Sequence, residues 1–515
     1  MSSANGRQDL SALGVQDLSA LGIQALVDPG KTPTDEQVRV IEAPRRPLLV
    51  VAGAGSGKTE TMSMRVLWLV ANHEDIAPSS VLGLTFTRKA AGELGDRLRQ
   101  RLALLARRVP SLRERLDEDP VSLTYNSFAE RIVAEHGMRI GIDPDFTMLT
   151  EAGAVDLMTQ IVEGWPTDLD EDLSPSAAVG HCLHLAGEVG EHGYTVEEAR
   201  DALEGFGRDL EQIGATNDTA RKTLRANARR LAYLGPVEEF QRRKREGGLL
   251  DFSDQLVLAT RIVCGAPAVR AQVRDEFQAV LLDEFQDTSV IQMELLSLLF
   301  HDHAVTAVGD PNQAIYGWRG ASASSLERFL DRFQDGPAQP GQTLTLSTAW
   351  RNDRNILRAA NRVAAPLREH SRAAKSPVLR ARPGAGEGRV DVAYTQDYRS
   401  ALGAVVDFVS AHRARGTREG KRPTTAVLCR RRSDFPYVDM ALREAGVPTQ
   451  IVGLGGLLDQ PSVQDARAAL VLADDVEASP WLARLLAGID LGAADLVALG
   501  DWARHLAREE GRDPH

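Results

Sequence analysis

An α/β fold built on a doubly wound, largely parallel sheet is predicted by three observations. From Pro47 onward, short apolar strands at 48–51, 81–85, 121–124, 279–283, 305–308 and 343–346 alternate with helical stretches, as in βα units wound onto one sheet. The first strand, through Val50 and Val51, runs into Ala52-Gly53-Ala54-Gly55-Ser56-Gly57-Lys58-Thr59, a glycine-rich loop ending in Lys-Thr. A later strand, Val280-Leu281-Leu282, ends in two carboxylates, Asp283 and Glu284.

The loop predicts a cradle for a nucleoside triphosphate. Glycines let the backbone close into a nest of N–H groups facing phosphates. Lys58 is placed to reach the β- and γ-phosphates, and the Thr59 hydroxyl to ligate Mg²⁺. A helix opening near Thr59 adds the positive end of its dipole. Ala52 stands where the strict pattern has glycine, which leaves these mechanics intact. Asp283 is then expected in the Mg²⁺ shell, with Glu284 orienting and deprotonating the attacking water. These residues together predict an ATPase.

Val308-Gly309-Asp310-Pro311-Asn312-Gln313-Ala314-Ile315-Tyr316-Gly317-Trp318-Arg319 starts as a strand and continues with polar groups and aromatics. Gln313 is placed to sense a γ-phosphate from the carboxyl end of the sheet. Tyr316 and Trp318 are candidates for stacking on bases, and Arg319 for tying the two sites together.

At 515 residues the chain is long enough for about three or four domains. Cys182, Cys264 and Cys429 form no CxxC or Cys/His cluster, which argues for a reducing compartment and against structural zinc. There is no signal-peptide pattern, and no apolar run approaches the ~18 residues needed to cross a bilayer; a cytoplasmic location and no membrane partner are expected. The net charge of −12 means that any attraction for nucleic acid must come from a local groove. Only seven of the 60 basic residues are lysines, among them Lys58 and Lys89; a retained ammonium hints that a compact point charge is needed there.

Residues 1–31 carry a tandem octad, at 9–16 and 17–24, read as a local duplication in a flexible arm. Between 129 and 247 the strand signal vanishes and the pattern is that of amphipathic helices, a helical insertion into the sheet domain. It holds the acidic cluster Asp168, Asp170, Glu171 and Asp172 and basic runs at 221–230 and 242–245; the basic runs are expected to be solvated helix faces, with a duplex or single-strand contact as the alternative. After a Pro/Gly-rich stretch at 336–341, a second α/β region is expected, with strands at 389–394 and 425–429, then a final helical stretch.

These motifs resemble those of the UvrD/Rep/PcrA-like group of superfamily 1 DNA helicases. Thr34-Asp35-Glu36-Gln37 is similar to the adenine-reading glutamine motif, with Gln37 as the reader. Leu84-Thr85-Phe86-Thr87-Arg88-Lys89-Ala90-Ala91 is similar to a motif whose phenylalanine, here Phe86, stacks on single-stranded DNA. Thr124-Tyr125-Asn126-Ser127-Phe128 corresponds to a DNA-contacting segment, which makes Thr124 and Asn126 candidate contacts; Asn126 stands where the family usually has His. Leu250-Asp251-Phe252-Ser253-Asp254 resembles the return from the helical insertion. Leu346-Ser347-Thr348-Ala349-Trp350-Arg351-Asn352 resembles the first motif of a second core domain, which implies that Trp350 stacks on adenine and Arg351 meets the γ-phosphate. Ala349 replaces the usual Asn, and Glu60 stands where relatives often have an Arg beside the base; both departures bear on base recognition.

The resemblance implies two RecA-like domains, each interrupted by a helical subdomain, using ATP and Mg²⁺ to move 3′→5′ on single-stranded DNA and at DNA junctions, in repair or recombination. The expected parts are a first RecA-like domain (32–128 and 248–338), the insertion (129–247), a partial second RecA-like domain (339–455) and the start of a second helical subdomain (456–515). Gly453-Leu454-Gly455-Gly456-Leu457-Leu458 is similar to longer actinobacterial relatives, including subunits of AdnAB-type helicase–nucleases, which implies a partner subunit. Relatives continue into segments like His-x-x-Lys-Gly-Leu-Glu and Tyr-Val-Ala-x-Thr-Arg-Ala, and neither occurs here. The second core domain is therefore expected to be incomplete. The alternative function is an ATP- and DNA-binding fragment or subunit without independent unwinding. A P-loop kinase or GTPase is disfavoured by Gln37 and the Asp-Glu pair. No unassigned carboxylate/lysine cluster supports a nuclease.

Overall fold

The computed structural model describes residues 18–143, 145–167, 169, 173–214, 217–317, 325–334, 341–370, 375–414, 424–452, 461–474, 479–488 and 491–509. The first octad, the acidic cluster at Asp168 and 170–172, Trp318, Arg319, most of the Pro/Gly-rich stretch and Gly453 to Leu458 lie outside the described residues. The chain divides into two compact units, Met1–Val390 and Asp391–His515.

The first unit is organised by a six-stranded sheet. Its strands are β1 (Leu48–Ala52), β2 (Val81–Thr85), β3 (Val121–Thr124), β6 (Ala279–Leu282), β7 (Val305–Gly309) and β8 (Gln342–Leu346); the short β4 (Thr147–Met148) and β5 (Leu249–Leu250) fall between β3 and β6. The order is β3-β2-β6-β7-β1-β8, and every pair is parallel. All six strands expected from the sequence are present. They were visible because a parallel sheet covered on both faces needs near-continuous apolar strands.

The two-residue period sends alternate side chains to opposite cores. Leu49, Val51, Leu82, Leu84, Val280 and Leu282 join one cluster, which packs against α5 (Tyr125–His136), α10 (Phe252–Gly265), α11 (Pro267–Glu276), α12 (Val290–Phe300) and α13 (Ser325–Phe333). Leu48, Val50, Ala52, Val81, Ala279 and Leu281 join the other, against α1 (Ala20–Val27), α2 (Asp35–Ile41), α3 (Lys58–Asn72) and α4 (Arg88–Arg108).

α1 corrects the expectation of a flexible arm through residue 31. Ser19 caps its N-terminus by accepting from Gly22 N–H, Ala20 and Ile23 are fully buried, and Leu18, Leu26 and Val27 pack on the same core. The second octad is thus half of an amphipathic helix with a binding face already present.

Between β3 and β6 lie α6 (Glu151–Glu163), α7 (Pro175–Glu191), α8 (Val196–Gln212) and α9 (Asp218–Glu246). They surround their own core of Met158, Ile161, Cys182, Val189, Leu234, Val237 and Phe240. α5 does not belong to it: Phe128, Ala129, Ile132 and Val133 pack in the sheet's core. The parallel pairing of β4 with β5 closes the base of the helical segment. One basic run departs from the expected solvated face. Lys244 is buried, and its ammonium donates to Asp254 at 2.7 Å and to Asp251, the residue that caps α10; the ion pair fixes the return of α9 into the sheet domain.

After β8, β9 (Thr348–Ala349) pairs with β10 (Arg380–Ala381) across α14 (Arg354–His370). The second unit holds α15 (Tyr398–Ala414), α16 (Phe435–Glu444), α17 (Pro461–Asp474), α18 (Ser479–Gly488) and α19 (Ala493–Glu509), with a small cluster of Val409, Leu442 and Val447. The strands expected at 389–394 and 425–429 are not formed, and the described residues of both segments are irregular. Neither finds a ladder partner among the described residues, and Val392, Tyr394 and Leu428 are almost fully exposed. Extended propensity alone does not make a strand, because sheet stability comes from pairing and burial.

Candidate nucleotide and nucleic-acid site

The glycine-rich loop leaves β1 at the carboxyl edge of the sheet and ends at Gly57, the residue that caps α3. Gly55 and Gly57 have φ of 72° and 83°, left-handed conformations that only glycine adopts without strain. No side chain caps α3, so its first N–H groups are left for a ligand. Ser56 Oγ is buried with no hydrogen-bond partner. An uncapped helix start under a glycine nest, with a spare buried hydroxyl, fits the phosphates of a nucleotide.

Lys58 and Glu284 meet above this loop. Lys58 Nζ donates to Glu284 Oε2 at 2.7 Å. Burial works against the Glu284 carboxylate, but the Lys58 charge and hydrogen bonds from Gln286 and Lys58 hold it below the usual range. Its neighbour Asp283 is pushed the other way, up to about 6, by burial and by the Glu284 charge. Two adjacent carboxyls with opposite shifts are a signature of acid/base or metal chemistry. Glu284 also has φ of 49°, a costly conformation for a residue with a Cβ. It turns the chain from β6 into a single 3₁₀ turn, Phe285–Asp287. Thr59 sits in the first turn of α3. Among the described residues, no group of three or more His, Cys, Asp or Glu side chains is arranged to hold a metal; a cation here needs phosphate oxygens to complete its shell.

The adenine candidates border the same loop. Thr34 and Gln37 form a reciprocal capping box at the start of α2. That bond fixes Gln37 Oε1 on Thr34 N–H, and Gln37 Nε2 lies 3.0 Å from where a Cβ on Gly57 would be. Trp350 Cδ1 approaches the same point at 3.7 Å, and Trp350 N–H donates to Gly55 O at 2.8 Å. Arg351 Cβ lies 3.1 Å from the corresponding point on Gly55. α2 is bound to the Trp350 segment directly, because Glu36 accepts from Ser347 N–H and Oγ at 2.7 and 2.6 Å. Glu60 is held by Arg101 Nη2 at 2.6 and 2.7 Å. Arg65 anchors the far end of α2: fully buried, it donates to the carbonyls of Val40, Ile41, Ala43 and Pro44 and to Thr306 Oγ1. No sequence signal singled out Arg65, and Glu36 stands inside the motif read for Gln37 without a role of its own.

At the same edge of the sheet, one strand pair away, lies a cavity of about 370 Å³ whose lining includes Phe86, Thr124, Asn126, Phe252, Asp287 and Gln292. Phe86 packs against Tyr316, with ring centroids 4.7 Å apart and the ring planes tilted by 33°. Asn126 Oδ1 accepts from Gln292 Nε2 at 3.1 Å, and Thr124 Oγ1 accepts from Ser127 N–H to cap α5. Phe86, Thr124 and Asn126 are therefore brought to one cavity, with Tyr316 against its aromatic wall. Phe252, Asp287 and Gln292 were missed as lining residues because they come from distant parts of the chain. Gln313 donates to Asp310 Oδ2 at 2.7 Å. The carboxyl of Asp310 also accepts from Ser376 Oγ. Lys89 is exposed, 3.9 Å from Glu93, and its side chain is not gathered into this group.

Residues 33–334 match the UvrD/REP helicase N-terminal domain. Similar proteins include DNA helicase II of Escherichia coli, 28% identical over 85% of this chain and 54% of the relative. The ATP-dependent DNA helicase PcrA of Staphylococcus epidermidis is 26% identical over 84% of this chain and 53% of its own length. The ATP-dependent DNA helicase UvrD2 of Mycobacterium bovis is 28% identical over 85% and 57%. The chain spans about half the length of these curated relatives. With the match covering five of the sheet's six strands, the helical segment and the site residues from Thr34 to Tyr316, the chain belongs to the UvrD/Rep helicase family.

Proposed function

We propose that this chain binds ATP with Mg²⁺ and single-stranded DNA as part of an ATP-driven DNA helicase or translocase moving 3′→5′ in repair or recombination. The observation that carries the reading is that Lys58 and Glu284 meet at the carboxyl edge of the sheet, beside an aromatic-walled cavity reached from the same 3₁₀ turn. In this reading Lys58 exchanges Glu284 for the β- and γ-phosphates, which releases the carboxylate to orient and deprotonate water. Thr59 and Asp283 would hold Mg²⁺, which would supply positive charge against the phosphates. Gln37 and Trp350 take the adenine, while Gln313 and Arg351 face the γ-phosphate. Phe86 and Tyr316 part to admit bases; Trp318 is a further candidate for stacking on bases, and Arg319 a candidate DNA contact that ties the two sites together.

The parts follow the same reading, with one boundary moved: a first RecA-like domain around the six-stranded sheet, which takes in β8 by its pairing with β1 and so runs past the expected end at 338, a helical insertion, and a partial second RecA-like domain after β8. A cytoplasmic location fits, and among the described residues no single helix is long and apolar enough to cross a membrane.

Phosphate release from ATP with and without oligothymidylate tests the function. DNA-stimulated turnover supports a motor. Because the chain spans about half of its relatives' length, a second reading is nucleotide and DNA binding without turnover, as a portion or subunit of a larger machine. Binding of both ligands without phosphate release selects that reading, and binding of neither rejects both.

A further inference from the structure

We infer that Gln286 is a positioning residue through which the nucleotide site and the DNA cavity sense each other. The inference rests on the ATP- and DNA-binding reading and adds a residue to which that reading gives no role.

Gln286 is 2% exposed, and its amide is used at both ends. Nε2 donates to Glu284 Oε2 at 2.9 Å and to Asp287 Oδ2 at 3.2 Å. Oε1 accepts from Asp310 N–H at 3.0 Å. The orientation is fixed by chemistry: turning the amide over sets its NH₂ against an N–H and its oxygen against two carboxylates. The seat is fixed by Gly309, where a Cβ would stand 2.6 Å from Gln286 Oε1. Glycine at the end of β7 is therefore required by this side chain.

Each partner leads somewhere different. Glu284 is the carboxylate on Lys58. Asp310 holds Gln313 and Ser376. Asp287 lines the cavity with Phe86 and Asn126, and its Oδ1 is buried without a hydrogen-bond partner. When a triphosphate draws Lys58 away, Glu284 loses its cation and its remaining amide donor is Gln286. A shift of that amide moves both Asp287 and the Asp310 turn, because one rigid planar group bonds all three. Coupling needs such an element biased by both sites.

The test uses the full chain, fluorescein-labelled oligothymidylate and the non-hydrolysable analogue AMP-PNP with Mg²⁺. DNA affinity is read by anisotropy with and without the nucleotide, and nucleotide affinity by calorimetry with and without DNA. In the wild type, each ligand should change the affinity for the other by about five-fold or more, equally in both directions. Gln286→Met keeps the volume and removes every donor and acceptor. It should bind each ligand alone within about two-fold of wild type and bring the mutual effect close to one. Asp287→Ala cuts the arm to the cavity and should also remove the mutual effect, which keeps the test open if Gln286→Met does not fold. Full coupling in a folded variant, or wild-type binding of both ligands without mutual effect, overturns the inference and leaves the function standing. Wild-type binding of neither ligand overturns both.

Discussion

Lys58 Nζ and Glu284 Oε2 lie 2.7 Å apart although 226 residues separate them in the chain. The pair joins the phosphate loop to the end of β6 and stores the proposed base against the proposed phosphate ligand. The two residues have separable tasks. Glu284→Gln should leave ATP binding near wild type and lower turnover by about 10²- to 10⁴-fold, the usual worth of a positioned general base. Single-turnover phosphate release beside equilibrium nucleotide binding checks this; loss of binding equal to the loss of rate contradicts it.

Phe86 and Tyr316 touch each other, so their effects on DNA should not add. Phe86→Ala and Tyr316→Ala should each weaken oligothymidylate binding by about 1–3 kcal/mol. The double variant should lose less than the sum, as expected for residues in contact. Anisotropy titrations of the four proteins complete the cycle, and strict additivity argues against a shared stacking platform.

Arg65 is buried under α2 and serves four carbonyls at once. Arg65→Met leaves those carbonyls without their donor and should cost on the order of 3–5 kcal/mol. Arg65→Lys should recover only part, because an ammonium cannot reproduce the planar fork. Urea unfolding of the variants measures both.

His303 is held below the ordinary histidine pKa by burial and by the charges of Arg274 and Arg45, against the pull of a bond to Phe277 O and of Asp275. Its folded pKa is lowered, so the unfolded chain binds the proton more readily. The stability is complete above the unfolded value of about 6.5 and falls as the pH drops below it. Melting temperatures between pH 7.5 and 5 should fall more steeply for the wild type than for His303→Gln. Parallel curves contradict this.

The sheet was legible because buried parallel strands are unbroken apolar runs, and the phosphate loop because its chemistry demands a local pattern. The segments at 389–394 and 425–429 carry the same strand-like composition, but pairing is a long-range property that composition does not encode. α1 was hidden by its repeat, although Ser19, Ala20 and Ile23 held a cap and an inward face. The motif residues of the site were readable one by one. Their junctions were not: Gln286 lies inside a recognised motif, yet its bonds to Asp310 and its seat on Gly309 appear only when β6 and β7 are laid side by side. Lys244 shows the same limit, a buried ion-pair partner hidden in a basic run.

The most direct measurement of the central claim is the equilibrium binding of a fluorescent ATP analogue with Mg²⁺ to the wild type and to Lys58→Ala, both verified as folded. Saturable binding by the wild type, weakened about 10²-fold or more in the variant, is the predicted result. Equal binding by the two proteins, or none by a folded wild type, would contradict the assignment of this loop as the triphosphate cradle.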